Sequence, residues 1–305
     1  MIAVDWGSSS LRLYRINEAG NVHDRRRSAQ GVFACEGRFR EVLGEHIAEW
    51  DDEDILMCGM VGGRGGWREV PYLDCPVDCD ALAAGLHRLP DDLLPGRRLW
   101  IVPGVRDNSQ RVADVMRGEE TQLAALLDSA RKGTHVICLP GTHSKWVTLI
   151  DGRISRIRTA LTGEMYALLR RHGTLAPLFP ETDGRFDPYG FDAGLQRSAQ
   201  SGGLLHHLFG VRTSALFRQF EPEALPSYLS GLLIGHELNA TGILQAKPRP
   251  AQVHLIGNDR LVGHYAHALM TLGIGVLRHP EELSARGLHL LWAIRPTAAP
   301  ARSTP

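Results

Sequence analysis

Residues 2 to 6 form an apolar, β-prone run, and Leu11, Leu13 and Ile16 carry an alternating one. This predicts a strand, a turn over "GSSS" and a second strand. Ala19-Gly20 marks a turn before a third short strand near 21 to 27. Phe39, Val42, Leu43 and Ile47 then recur at helical spacing, so 36 to 50 reads as a helix. "ILMCGM" at 55 to 60 reads as a short buried strand running into the glycine-dense "VGGRGGW", and "LWIVPGV" at 99 to 105 as another strand. "RGEETQLAALLDSARKG", 117 to 133, reads as a helix with acids in its first turn and Gly133 as C-cap.

The opening pattern then returns. "HVICLPGTHSKWVTLIDGRISRIRT", 135 to 159, is again apolar strand, glycine-hydroxyl turn, strand, tight turn and strand. Setting Gly7 over Gly141 places Ser8 on Thr142 and Ser10 on Ser144, and Ala19-Gly20 falls two residues from Asp151-Gly152. A repeat spaced by about 130 residues implies two similar domains. The repeat is unequal in one respect: Leu139 stands where Asp5 would be matched. Farther on, Leu225, Leu229, Leu232, Leu233 and His236 form a helical stripe. "AQVHLIGNDRL" reads as strand then Gly-polar turn, and 262 to 273 as a helix. The Pro/Ala/Ser-rich stretch 295 to 305 is expected to be a disordered tail.

A chain of 305 residues has room for two domains, and 43% hydrophobic with 22% charged residues is a globular composition. Lys+Arg and Asp+Glu both number 34, so there is no basic excess to serve nucleic acid or a membrane surface. No signal-peptide pattern and no membrane-length apolar run is present. The five cysteines, Cys35, Cys58, Cys75, Cys79 and Cys138, are too few and odd in number for a disulfide framework. Cys75 and Cys79 have no second pair for zinc, and the 14 histidines lack a supporting cluster of acids. The expectation is a cytoplasmic protein with reduced thiols.

Two hairpins with glycine-hydroxyl turns, one in each half, suit a polyphosphate. Glycine admits close approach, and turn N–H groups and hydroxyls donate to phosphate oxygens. A carboxylate beside one of them, Asp5, suits a single Mg²⁺, which prefers oxygen ligands and keeps much of its water. The chain lacks the P-loop spacing, and "GGRGGW" lacks the Rossmann spacing.

The pair of hairpins resembles the two phosphate motifs of the sugar kinase/Hsp70/actin ATPase superfamily. More narrowly, "DWGSSSLRLYR", "MCGMVGGRGGWREVPYLDCP", "DVMRGEETQL", "CLPGTHSKWVTLIDGRI" and "TGEMYALLR" resemble the 2-dehydro-3-deoxygalactonokinase family over most of residues 1 to 290. The resemblance implies an α/β fold of two ribonuclease H-like (actin/hexokinase-type) domains with an interdomain nucleotide cleft. The first domain would span 1–118, a connecting helix 119–132, and the second domain 133–294. It implies ATP and Mg²⁺ as cofactors and phosphorylation of the 6-hydroxyl of 2-dehydro-3-deoxy-D-galactonate. A kinase of another sugar or sugar acid, or a non-catalytic ATP-driven switch, stays open, as does a homodimer.

On this resemblance Gly7, Ser8, Ser9, Ser10 and Arg12 form the first phosphate site, with Asp5 on the metal. Gly141, Thr142, His143, Ser144 and Lys145 form the second. Gly231 and Gly235, one helical turn apart, and Gly257 with Asn258 match the adenine site. The base would be Glu120 or Glu119, at the start of the helix leaving the first domain. Aligning Gly-Glu-Glu-Thr on the Gly-Gly-Asp-Asn/Gln of related kinases favours Glu120. Both acids would also complement the helix dipole, and Asp114 is a third candidate. The substrate carboxylate calls for an arginine: Arg64, Arg68, Arg106 or Arg117. The loop of Gly62 and Gly63, with Trp67 and Tyr72, would wall the sugar pocket.

Overall fold

In the computed structural model, which describes residues 1–127, 130–182, 184–280 and 283–296, the opening alternation becomes an antiparallel meander. Its strands are β1 (Ile2–Trp6), β2 (Leu11–Ile16) and β3 (Val22–Ser28). Ile2, Val4, Trp6, Leu11 and Leu13 share one face and pack with α1 (Val32–Cys35) and α2 (Phe39–Ile47). The helix expected at 36 to 50 is α2, which starts only at Phe39 because Glu36 and Gly37 take left-handed φ values of 48° and 84° and separate it from the short α1 before it. The strand β4 (Asp54–Cys58) joins β1 in parallel. Then come β5 (Tyr72–Asp74), α3 (Cys79–Ala84), β6 (His87–Arg88), β7 (Arg98–Ile101), β8 (Gly104–Asp107), β9 (Asp114–Met116) and α4 (Glu119–Leu127).

The main sheet runs β3-β2-β1-β4-β7-β6, and β5-β8-β9 form a small second sheet. The apolar run 99 to 105 therefore serves two sheets. Pro103, with no N–H to give a ladder, sits at the break between β7 and β8.

The repeat follows as β10 (Thr134–Leu139), β11 (Ser144–Ile150) and β12 (Arg153–Ala160). After these come α5 (Thr162–Arg171), α6 (Pro188–Ser198), α7 (Gly203–Leu216), α8 (Leu225–Thr241), β13 (Gln252–Ile256), α9 (Asp259–Thr271), β14 (Gly275–His279) and α10 (Leu283–Ile294). Its sheet runs β12-β11-β10-β13-β14, which matches β3-β2-β1-β4-β7 strand for strand. β10, β13 and β14 are parallel, as are β1, β4 and β7. This is the ribonuclease H-like order that the resemblance implies, present twice.

The chain divides into two units that do not follow the linear split at 118 and 133. The first holds residues 1–134, 148–157 and α10; the second holds 135–147 and 158–280. The helix expected as a connector, α4, is thus part of the first unit, and α10 returns to lie on it. Gly287 makes that possible, since a Cβ there would stand 1.8 Å from the carbonyl oxygen of Thr121. Each unit has its own core. One is built on Trp6, Leu11, Leu13, Phe39 and Ile55, the other on Phe191, Leu238, Val253, Tyr265 and Leu269.

Residues 297–305 of the expected tail lie outside the described residues. Arg295, its first residue, donates to the Trp292 carbonyl and lies over the Trp292 ring. The five cysteines are free thiols. Among the described residues no helix is long and apolar enough to cross a membrane.

Candidate active site

In the first unit the Gly-Ser-Ser-Ser turn joins β1 to β2 and is closed by the Gly7 N–H donating to the Ser10 carbonyl at 2.9 Å. The start of α1 holds it from outside: Val32 N–H donates to the Gly7 carbonyl and Phe33 N–H to that of Ser8. Gly31 permits this contact. A Cβ there would lie 2.4 Å from the backbone of Ser8 and Ser9. Asp5 is the last-but-one residue of β1, directly opposite Arg12 on β2, and the two pair at 3.3 Å. Cys58 on β4 is its neighbour on the other side.

The end of β4 meets the start of α4 at two glycines in the left-handed half of φ space. Gly59 (φ 94°) lies against the Trp6 carbonyl, where a Cβ would sit at 2.7 Å. A Cβ on Gly118 (φ 112°) would sit 3.1 Å from the Gly59 Cα. Close approach at both points brings Glu119 and Glu120 beside β1. Burial, then the charges of Asp5 and Glu120, push up the Cys58 thiol, which places both carboxylates around that sulfur.

The two glutamates differ. Glu120 is fully buried; it accepts from the Gly118 N–H at 2.6 Å and from the Thr121 hydroxyl at 3.0 Å. Burial first, and the neighbouring Glu119 charge second, push its pKa up to about 8. Glu119 is partly exposed and accepts from the Arg117 N–H at 3.0 Å. Both thus cap their own helix while facing unlike surroundings. Asp114, the third candidate, accepts from the Val115 N–H on β9, ahead of the helix.

The expected sugar pocket is partly revised. Trp67 stacks on Phe39 at 6.1 Å and meets Trp6 edge-on, so it closes the hydrophobic core rather than walling a pocket. Arg106 forms a forked ion pair with Asp74, at 2.7 and 3.1 Å, and is not available as a clamp. Arg64 and Arg68 are exposed. Gly62 and Gly63 follow β4, and a Cβ on Gly62 would meet Arg117 Nη1 at 3.1 Å. Arg117 is buried over the Tyr72 ring, 4.2 Å from its centroid.

In the second unit, Gly141 and Thr142 lie in the turn after β10 and line a cavity of about 320 Å³. This is within the roughly 300–1,000 Å³ range of small-molecule sites. Thr162 and Gly163 of α5, Ser230 and Leu233 of α8, and Asn258, Leu261 and His264 around α9 complete much of its lining. It opens at the carboxyl ends of the parallel strands β10 and β13, where open α/β sheets bind ligands. Gly257 (φ 153°) lies against the Pro140 carbonyl as Gly59 lies against that of Trp6. Asn258 caps α9 by accepting from the Leu261 N–H at 3.0 Å.

Three second-unit expectations need correction. Gly231 and Gly235 offer no shelf to a ring: a Cβ on them would strike the Phe191 carbonyl at 2.0 Å and the Ser198 hydroxyl at 2.1 Å. They let α8 pack on α6. Ser144 is fully buried and bonds the Tyr265 hydroxyl at 2.7 Å, so it braces the turn from beneath instead of reaching a phosphate. Lys145 is buried too and donates to the Thr159 hydroxyl at 2.8 Å. His143 is exposed and pairs with Glu164 at 2.6 Å.

The sequence reading missed three supports. Gly163 does for the second turn what Gly31 does for the first, since a Cβ there would lie 2.2 Å from the Gly141 carbonyl oxygen. Glu164 N–H donates to the Thr142 carbonyl at 2.9 Å. Glu237 lies below, accepting from Trp146 Nε1 and from the Tyr265 hydroxyl, with its pKa raised by burial. "TGEMY" contains Gly163, but close backbone contact leaves no mark on local periodicity.

A family model described as 2-keto-3-deoxy-galactonokinase matches residues 5–291. A protein of Rhizobium meliloti strain 1021 named 2-dehydro-3-deoxygalactonokinase is 36% identical over 280 residues, 90% of each chain. The 2-dehydro-3-deoxygalactonokinase of Escherichia coli K12 is 33% identical over 278 residues, 90% of this chain and 91% of that one. A crystal structure of a 2-dehydro-3-deoxygalactonokinase protein from Sinorhizobium meliloti is similar at a TM-score of 0.86 and 34% identity, covering 99% of both chains.

Proposed function

The chain belongs to the 2-keto-3-deoxy-galactonokinase family, and we propose that it transfers the γ-phosphoryl group of ATP to the 6-hydroxyl of 2-dehydro-3-deoxy-D-galactonate, in galactonate breakdown. The observation that carries this reading is one strand order used twice with a glycine-hydroxyl turn at the same place. Acids stand beside one turn, and a nucleoside-sized cavity beside the other.

In this reading the second unit binds the nucleotide. The Gly141-Thr142 turn takes phosphate, and the cavity lined by Asn258, Leu261 and His264 takes the nucleoside. The first unit holds the sugar acid and the chemistry. Glu120 accepts the proton of the 6-hydroxyl as oxygen attacks phosphorus; a basicity raised by burial suits a weakly acidic alcohol. Arg12 and the N–H groups of the Ser8–Ser10 turn face the charge that develops on the phosphoryl oxygens.

Among the described residues no group of three or more His, Cys, Asp or Glu side chains forms a metal cage. That donor set fits a Mg²⁺ carried mainly by phosphates and water, with Asp5 as its protein ligand. Mg²⁺ would supply charge neutralisation on the phosphates. The reaction would belong to the cytoplasm, where ATP is available.

The test is a turnover assay with ATP, Mg²⁺ and a panel of sugar acids and neutral sugars, with the product identified by phosphorus NMR. The expected result is a 6-phosphate monoester from 2-dehydro-3-deoxygalactonate and stoichiometric ADP. Slow ADP release independent of any sugar would overturn the reading in favour of an ATP-driven switch.

A further inference from the structure

Arg117 occupies an unusual position for a cation. Its side chain is only 7% exposed. Nη2 donates to the Val70 carbonyl at 2.6 Å, while Nε and Nη1 have no hydrogen-bond partner. The guanidinium lies over the Tyr72 ring at 4.2 Å, and Gly62 packs against buried Nη1, where a Cβ would stand 3.1 Å from it. Among the described residues no carboxylate pairs with it. A buried charge without a counter-ion, and buried N–H groups without acceptors, are both costly, and native folds keep them where something else completes them.

The missing group has a definable chemistry. It is an anion, to balance the charge. It carries at least two acceptor oxygens, to meet the unspent N–H groups on Nε and Nη1. It is small enough to sit beside the glycine loop. A carboxylate meets all three conditions. The other arginines expected near the sugar are otherwise placed: Arg106 is paired with Asp74, and Arg64 and Arg68 are exposed.

We propose that Arg117 is the clamp for the substrate carboxylate, resting on the sugar-acid kinase reading above. The clamp lies three residues before Glu120, and its backbone N–H donates to Glu119. One short segment therefore holds the carboxylate end of the substrate and the base for its hydroxyl end. The segment measures the acid from one end to the other, and a neutral sugar, with nothing for Arg117 to hold, is left out of register with Glu120. Gly62 belongs to the same device because a side chain there would crowd Nη1.

The test compares 2-dehydro-3-deoxygalactonate with its neutral C1 amide, by calorimetric affinity and by turnover, in the full chain. Native protein is expected to bind the acid about 100-fold more tightly than the amide. Arg117→Met should erase that ratio through loss of acid binding, with the KM for ATP and the amide affinity unchanged, and Arg117→Lys should recover part of it. Gly62→Ala, which keeps the arginine, should reduce the ratio by a smaller factor and serves if Arg117→Met does not fold. A ratio that survives in folded Arg117→Met, or in Gly62→Ala when the first variant does not fold, overturns the clamp. Affinity is read without catalysis, so the two readings separate. Native protein that prefers the acid in binding but never phosphorylates it sinks the kinase reading and keeps the clamp. Native protein that phosphorylates acid and amide alike does the reverse.

Discussion

The turn between β1 and β2 and the turn between β10 and β11 occupy the same place in the same strand order, yet their surroundings are unlike. Both are held from outside by a helix start laid against a glycine, Gly31 in one unit and Gly163 in the other. Both stand beside a second glycine against the end of the central strand, Gly59 and Gly257. Around the first turn the sheet carries Asp5, Arg12 and Cys58, with Glu119 and Glu120 close by. Around the second, Leu139 stands in place of the aspartate, and hydroxyls, Asn258 and a cavity take over. A duplicated backbone thus holds two similar turns in unlike side-chain surroundings, and the proposed function assigns chemistry to one unit and nucleotide binding to the other.

The largest expected effect is on Glu120. Glu120→Gln should lower kcat by about 10²–10⁴-fold, the range for a lost general base, with ATP-analogue affinity within twofold of native. Normal turnover in this variant would remove chemistry from the first unit.

Next come the two buttressing glycines. Gly31→Ala and Gly163→Ala each force a Cβ into backbone at 2.2–2.4 Å, and each should cost about 1–3 kcal/mol of stability, as overpacking does. Their kinetic signatures should differ. Gly163→Ala should mainly raise the KM for ATP, whereas Gly31→Ala should mainly lower kcat. Identical signatures would erase the division.

A smaller effect is set by pH. With Glu120 at about 8, kcat/KM should rise between pH 7 and 9. Glu119→Gln should move that limb to lower pH, because the Glu119 charge is the second cause of the shift.

The smallest effect is on stability, and its sign should be opposite in the two units. The folded pKa of Glu120 lies above its ordinary value, so its stabilising contribution is lost as pH rises from about 4.5 through 8. His254 on β13 is held at about 4 by burial and by His279 and His135, so its contribution is lost as pH falls from about 6.5 toward 4. Melting curves of native protein and His254→Gln across pH 4–8 should converge at the acid end.

Much of this was legible in the chain, for physical reasons. β1, β2 and the turn between them follow from an alternating pattern with period two, and the Gly7–Gly141 repeat exposes the duplicated fold. Close tertiary approach was not legible. Gly31 and Gly163 look like ordinary loop or helix residues until a turn is packed on them. The Gly231–Gly235 pair looks the same whether a ring or another helix lies on it, and here α6 does. Trp67 could be read as pocket or core because aromatic type alone does not say which side of a loop faces inward. Ser144 and Lys145 carry the right atoms for phosphate but belong to a strand whose neighbours bury them. Chain order also hid the return of α10 to the first unit, which depends on Gly287 meeting Thr121.

The division of labour is tested most directly by hydrogen–deuterium exchange on the full chain, with a non-hydrolysable ATP analogue and with the sugar acid, each added separately. The analogue should slow exchange at 141–145, 162–166 and 257–264 and at the turn 7–10, and the sugar acid at 61–72 and 116–121. Protection of the β10–β13 cavity by the sugar acid, or none there from the nucleotide, would contradict the assignment.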